Sequence, residues 1–354
     1  MRRKSLLSFI VILAFAVVLS ACNSGNNESS ESPQASNSAS PEATASGDEA
    51  NAVGGNYTIG ISLPAADHGW MGALIGNAKA EAEKHKNIES IVYTAKDPAK
   101  QTSDIEDLIT KKVDAIVMLP IESAALTPAA EKVAKAGIPL IVIDRAVNTE
   151  SYRLYVGGDN YGIGYGDAKY LVDALVKRNG KAAGKVVEIS GVPSSVTDLR
   201  SKGFRDYIKD YPEIEIIASQ PGDFTREKAL KATENILQAN KLIDAVYSQD
   251  DDMTVGIVQA IKDAKRQDEM FIVSSGGMQE IYKMMKEKAK PEIVVSLTYS
   301  PTMSGTAVKM ATLILEGKGI EGFWEKSVPH HIVLEATPVT PDNVDAYLNP
   351  DSKY

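Results

Sequence analysis

The stretch Gly137–Arg145, GIPLIVIDR, decides how the rest of the chain is read. Ile138 to Ile143 is an unbroken apolar run, and it stops on an acid and a base, Asp144 and Arg145. Such an Ile/Leu/Val run suits a strand buried on both faces, as in a parallel sheet covered by helices. In sheets of that kind ligands sit beyond the carboxyl ends of the strands. An Asp-Arg pair at that end is placed to grip something polar. The same pair would serve equally as a plain surface ion pair at the start of a loop.

Working outward, strand-like and helix-like segments alternate. Tyr57–Leu63 (YTIGISL) predicts a first strand, followed by a helix from about Trp70 to Lys86 with Leu74, Ile75, Ala78 and Ala82 at helical spacing. Ile91–Thr94 and Asp114–Leu119 predict the next two strands. Asp97-Pro98 predicts a helix start between them, because Asp caps well and Pro suits the first helical position. Pro128–Ala136 predicts a short helix closed by Gly137. Parallel strands require crossovers of this size. Tyr155–Asp159 predicts a fifth strand, after which the plan repeats. Helices are expected at 161–177, 199–209, 226–239, 254–264, 279–288 and 302–315. Strands are expected at 186–190, 214–219, 245–248, 271–274, 293–297 and, last, His331–Glu335. The fold class is α/β: two similar doubly wound parallel-sheet lobes with a cleft between them.

The ends of the chain carry a different message. Arg2, Arg3 and Lys4 precede an apolar stretch, Leu6–Leu19, and Leu19-Ser20-Ala21-Cys22 follows it. This is the form of a secretory signal, with residues 1–21 removed, and the apolar run is shorter than the roughly 20 residues that a membrane span needs. Cys22 is the single cysteine of 354 residues, so no intrachain disulfide can form. A cysteine directly after small residues resembles the bacterial lipoprotein cleavage box, in which Cys22 carries lipid. Residues 22–56 are Ser, Asn, Ala, Glu, Gly and Pro with almost no large apolar side chain, which predicts a disordered tether. A flexible coil of about 34 residues spans roughly 30–35 Å. The net charge of −9 excludes a nucleic-acid partner, which would call for a basic surface.

Catalytic patterns are scarce. There is no nucleophile elbow and no P-loop. Gly162-Ile-Gly164-Tyr-Gly166 resembles a dinucleotide fingerprint, but Asp167 stands in place of its third glycine, so tight helix packing is the better reading. His330 and His331, as neighbours on a strand, should point to opposite faces and not share a metal. Asp250-Asp251-Asp252 lacks the spacing of a calcium loop. The expectation is a binding protein with no metal and no cofactor. What does recur is polar and aromatic residues just past strand ends. They are Asp67, His68 and Trp70, then Asp144 and Arg145, then Arg200, Phe224, Asp250, Ser275 and Tyr299. An aromatic face stacks on the C–H face of a sugar ring, while Asp and Arg satisfy its hydroxyls. A loop aromatic such as Trp70 could also be plain core.

With these pieces in view, the chain resembles the sugar-binding lipoproteins of bacterial ABC importers, in the ribose-binding, type I periplasmic group. The resemblance runs from Tyr57 to Tyr354 and rests on IGISL, DPAKQTSDIEDLI, GIPLIVIDR, VGGDNYGIG, RSKGF, SQPGDFTREKAL and AVYSQDDDM in that order. It implies that Asp144 and Arg145 hold sugar hydroxyls, that Arg200 reaches in from the second lobe, and that Phe224 and Trp70 stack. Asp250 stands where ribose binders usually have Asn, Ser275 replaces an Asp, Tyr299 a Gln and Met71 an aromatic. A hexose, polyol or other small carbohydrate is therefore as consistent as ribose. The resemblance implies three crossings between lobes, near Asp159, Tyr299 and Lys326–Val328. The first lobe would then hold residues 57–159 and 300–327, and the second 160–299 and 328–354. It further implies a monomer that delivers its ligand to an ABC transporter permease at the outer face of a bacterial membrane. A ligand-sensing subunit for a membrane histidine kinase or chemoreceptor is the alternative output.

Overall fold

Alternating apolar segments of four to eight residues, punctuated by helix caps, build two sheets that share one plan. The computed structural model describes residues 55–354. The stretches expected to be a signal peptide, a lipid-carrying Cys22 and a tether, as far as residue 54, lie outside the described residues. The first lobe begins β1 (Tyr57–Pro64), α1 (Gly69–Lys84), β2 (Ile88–Ala95), α2 (Pro98–Thr110), β3 (Ala115–Met118), α3 (Ser123–Lys135), β4 (Leu140–Ile143) and β5 (Leu154–Gly158). Then come α4 (Asn160–Asn179), β6 (Gly184–Ser190), α5 (Ser195–Ile208), β7 (Ile214–Pro221), α6 (Arg226–Ala239), β8 (Ala245–Ser248), α7 (Asp251–Asp263), β9 (Phe271–Gly276), α8 (Gln279–Lys286) and β10 (Glu292–Thr298). The chain closes with α9 (Met303–Leu315), β11 (His331–Leu334) and β12 (Pro338–Val339).

The first sheet has the order β11-β5-β4-β3-β1-β2 and the second β12-β10-β9-β8-β6-β7. All pairings are parallel except β10 with β12. The strand order of each sheet therefore reverses once, between β1 and β3 in one and between β6 and β8 in the other. Such switch points open a crevice at the carboxyl ends of the strands. The opening stretch forms a fully buried strand over Leu140–Ile143, while Ile138 and Pro139 are half-buried and precede it.

Helix starts explain where sequence expectation and structure part. Asp97 caps α2 as anticipated, accepting from the Lys100 amide at 2.8 Å, with Pro98 at the first position. Three helices start earlier than expected, at Ser123, Ser195 and Asp251. In α3 the proline lies inside the helix, past its first turn, where it forgoes the one bond that an amide there would donate to Ala124. Ser194 caps α5 and Asp250 caps α7, so the acidic run at 250–252 is a cap and first turn aligned with the helix dipole. The glycines of α4 serve close packing: a Cβ on Gly164 would lie 1.9 Å from the carbonyl oxygen of Arg200 in α5.

The chain changes sheets between β5 and α4, between β10 and α9, and between β11 and β12. The third crossing differs from expectation. His331–Leu334 pairs in register with Tyr155–Gly158, making β11 the edge strand of the first sheet. Residues 328–334 thus belong with the first lobe, and the crossing falls at 335–337, because the exposed edge of β5 is completed before the chain leaves.

Candidate functional site

Loops beyond the strand ends of both sheets meet across the crevice. On the first-lobe side, β4 ends at Asp144, whose φ of 61° puts it in the left-handed region that Asp tolerates better than most residues. Tyr155 Oη donates to the Asp144 carbonyl at 2.8 Å and pins that turn. The turn buries both charged side chains: Asp144 is 3% exposed and Arg145 6%. Arg145 Nη1 donates to the carbonyls of Ile121 at 2.7 Å and Pro120 at 3.3 Å, just past β3. Its Nε stands 3.6 Å from Asp144 Oδ2, too far for a hydrogen bond, and is a buried donor without a partner. Burial lowers the Arg145 pKa, with Asp144 opposing.

On the second-lobe side, the α4–α5 contact sets Arg200. Its Nε donates to Asn160 Oδ1 at 2.9 Å, and its Nη1 donates to the Gln249 carbonyl and, at 3.3 Å, to Ser275 Oγ. Asp223 and Phe224 both have positive φ, at 52° and 61°. That double left-handed turn drives the Phe224 ring against Gly191, where a Cβ would come within 1.9 Å of it. The guanidinium carbon of Arg145 lies 5.7 Å from the same ring. Asp250 Oδ1 accepts from the amides of Asp252 at 2.8 Å and Met253 at 3.2 Å. Burial first, and then the charges of Asp252 and Asp251, push the Asp250 carboxyl up to about 8.

Tyr299, directly after β10, stands between the two sides. Its hydroxyl donates to Asp144 Oδ1 and accepts from Asn160 Nδ2 at 3.3 Å. The Arg200 guanidinium lies 4.5 Å above its ring, and Trp70 stacks on it at 5.5 Å. Burial, and then the Asp144 charge, raise its phenol pKa well above the usual value. The space left among these side chains is about 20 Å³, room for roughly one water.

Of the residues singled out from sequence, His68, Trp70, Asp144, Arg145, Arg200, Phe224, Asp250 and Tyr299 line this one cavity. Asp67 does not. Its carboxylate lies outside, on an open groove of about 980 Å³ along the cleft mouth. Ser275 sits behind the cavity, donating to the Gln249 carbonyl at 3.1 Å and accepting from Arg200. His68 caps α1, its Nδ1 accepting from the Met71 amide at 3.4 Å. Burial lowers its pKa, while Asp67 and Asp252 pull the other way. Sequence reasoning missed Val196, which lines the wall, and Asn160, which orients both Arg200 and Tyr299. An apolar residue in a helix's first turn carries no signal of its own. Asn160 had one, its place at a crossing. The lobes also meet at three backbone amides. Gly69 N donates to Asp252 Oδ2 at 2.9 Å, Ala146 N to Ser195 Oγ at 2.8 Å, and Ser195 N to Ser123 Oγ at 3.0 Å.

Two doubly wound lobes, crossed three times by the chain and facing one buried polar cavity, define a two-lobed binding protein. The periplasmic binding protein domain model matches residues 59–319, and the chain belongs to that family. It is 32% identical over 267 residues to the ribose import binding protein of Bacillus subtilis, covering 75% of this chain and 84% of that one. It is 35% identical over 266 residues to the galactofuranose-binding protein of Escherichia coli, covering 72% and 81%. The crystal structure of a galactofuranose binding protein superposes with a TM-score of 0.74 at 30% identity, covering 82% of this chain and 97% of that one. The fold is the type I periplasmic binding protein fold, and the chain is a solute-binding protein rather than an enzyme.

Proposed function

We propose that this protein captures a small sugar or polyol between its lobes, by hinge closure, and delivers it to an ABC transporter permease. The observation that carries the reading is the cavity itself. It places two guanidinium groups, two carboxyl groups and three aromatic rings at the carboxyl ends of both sheets. Charge-assisted donors and acceptors suit hydroxyls, and ring faces suit the apolar face of a sugar. The unpartnered Nε of Arg145 is a donor awaiting an acceptor. The similarity to proteins named for ribose and galactofuranose supports the same ligand class. A cavity of about 20 Å³ is far smaller than the roughly 300–1,000 Å³ of ligand pockets. Entry thus requires the lobes to part, and contacts from both lobes then stabilise the closed form.

The basic residues 2–4, the apolar stretch and Cys22 support secretion followed by lipid attachment at Cys22, with a tether holding the folded body near a membrane. A thermal-shift screen across pentoses, hexoses in both ring forms, inositols and sugar alcohols tests the ligand class. At least one compound should raise the melting temperature by mass action; a blank screen sinks the reading. Cys22→Ser should release the protein from the membrane fraction.

A further inference from the structure

Outside the cleft, Glu150, His330 and His331 hold three possible metal-ligand atoms within 4.8 Å of one another. Glu150 lies on the connection from β4 to β5. Pairing of β11 with β5 sets His331 opposite Tyr155 and brings both histidines beside that connection. The expectation that adjacent histidines point apart fails here, because His330 precedes the strand. Its ring folds back onto that of His331, with centroids 4.7 Å apart.

Both Nε2 atoms face one carboxylate oxygen: Glu150 Oε2 is 3.5 Å from His330 Nε2 and 3.9 Å from His331 Nε2. Ligand atoms around a tetrahedral zinc ion, at bonds of about 2.0–2.1 Å, stand about 3.3–3.4 Å apart. Small rotations therefore suffice to admit an ion. His330 Nδ1 lies 3.3 Å from the Arg153 carbonyl. Donating there fixes the tautomer that leaves the Nε2 lone pair free, the arrangement of metal-bound histidines. The Tyr152 ring stacks on His330 at 4.8 Å, and Tyr155 meets His331 edge-on at 5.9 Å, so both imidazoles are held in place. Tyr152 Oη bridges Glu150 Oε2 and His331 Nε2 at 3.0 and 2.9 Å, which keeps the carboxylate beside that imidazole.

We propose that Glu150, His330 and His331 form a surface site for one divalent ion of the zinc class. Two imidazoles and one carboxylate select zinc, copper or nickel over calcium or magnesium, which take oxygen ligands. The side chains are 79%, 47% and 49% exposed in that order, so solvent reaches the site and can supply a fourth ligand. A bound ion would clip the β4–β5 connection to the strand from which the chain leaves for its third crossing. The site is independent of whatever the cleft holds.

The test uses the full chain in detergent, stripped with a chelator and then titrated with zinc chloride by calorimetry and by thermal melting. The wild type should take up one more zinc ion per chain than the His330→Ala/His331→Ala variant, and only the wild type should melt higher with zinc. Zinc held elsewhere is common to both and cancels. Glu150→Gln should weaken the added binding at least tenfold. Circular dichroism and metal-free melting confirm that each variant folds. Equal zinc uptake by wild type and double variant overturns the site; an equal difference with calcium chloride overturns the assigned class of ion.

Discussion

Trp70 and Tyr299 are joined twice: the indole Nε1 donates to the Tyr299 carbonyl at 2.8 Å, and the two rings stack 5.5 Å apart. One belongs to the first turn of α1 and the other to the second crossing, so the pair ties the first lobe to its hinge. Trp70→Phe keeps an aromatic ring, though a smaller one, and removes the donor. It leaves a buried carbonyl unpaired, at a cost of about 1–3 kcal/mol. The urea midpoint should fall accordingly, and an unchanged midpoint would show that the carbonyl finds another partner.

Arg145→Ala removes the buried donor that faces the cavity. Hydrogen bonds to charged groups contribute about 1.5–3 kcal/mol each, so the affinity for a ligand found by the screen should fall by about ten- to a hundredfold. The protein should still fold, with normal far-ultraviolet dichroism. Calorimetry showing wild-type affinity would remove Arg145 from the proposed ligand contacts.

Stability should depend on pH through Asp250. Its carboxyl is pushed up to about 8 in the folded protein, mainly by burial, against about 4 in an unfolded chain. Between those values the folded state binds a proton that the unfolded state does not, so stability falls as pH rises, and it levels off above pH 8. Asp251, also raised by burial, adds a slope of the same sign. Asp252, where Arg226 outweighs burial, has a slope of the opposite sign, but only below about pH 4. Asn caps a helix as well as Asp. Asp250→Asn should therefore flatten the slope and stabilise the protein at pH 8 while changing little at pH 4. Urea midpoints at pH 4, 6 and 8 check this, and curves parallel to the wild type would refute it.

Gly164→Ala should act on the cavity from a distance. The added methyl meets the Arg200 carbonyl, so α5 must shift away from α4. Overpacking of this kind costs about 1–3 kcal/mol, and Arg200 moves with its helix. Melting temperature and ligand affinity should drop together. A drop in melting alone would mean that Arg200 does not touch the ligand.

Much of this molecule was legible because its physics is local. The buried run of GIPLIVIDR, the Asp97-Pro98 start and the recurrence of polar residues past strand ends report directly on strands, caps and loops. Eight of the ten cleft residues expected from sequence line one cavity for that reason. What escaped depends on tertiary contact. Nothing in Trp70 foretells that one face of its ring is taken by Tyr299. Ser275 has the right position but points at Arg200 and Gln249, and Asp67 lies one residue too far out. The third crossing and the His330–His331 stack both depend on β11 completing an edge, a pairing between segments far apart in the chain.

Three of the contacts between lobes are donated by main-chain amides, those of Gly69, Ala146 and Ser195. Each is sheltered only while the opposite lobe supplies its acceptor. Their exchange with deuterated solvent is thus a built-in gauge of how often the two halves separate. A ligand that holds the lobes together should slow these three protons by a common factor, and β-sheet amides deep in either lobe should not share it.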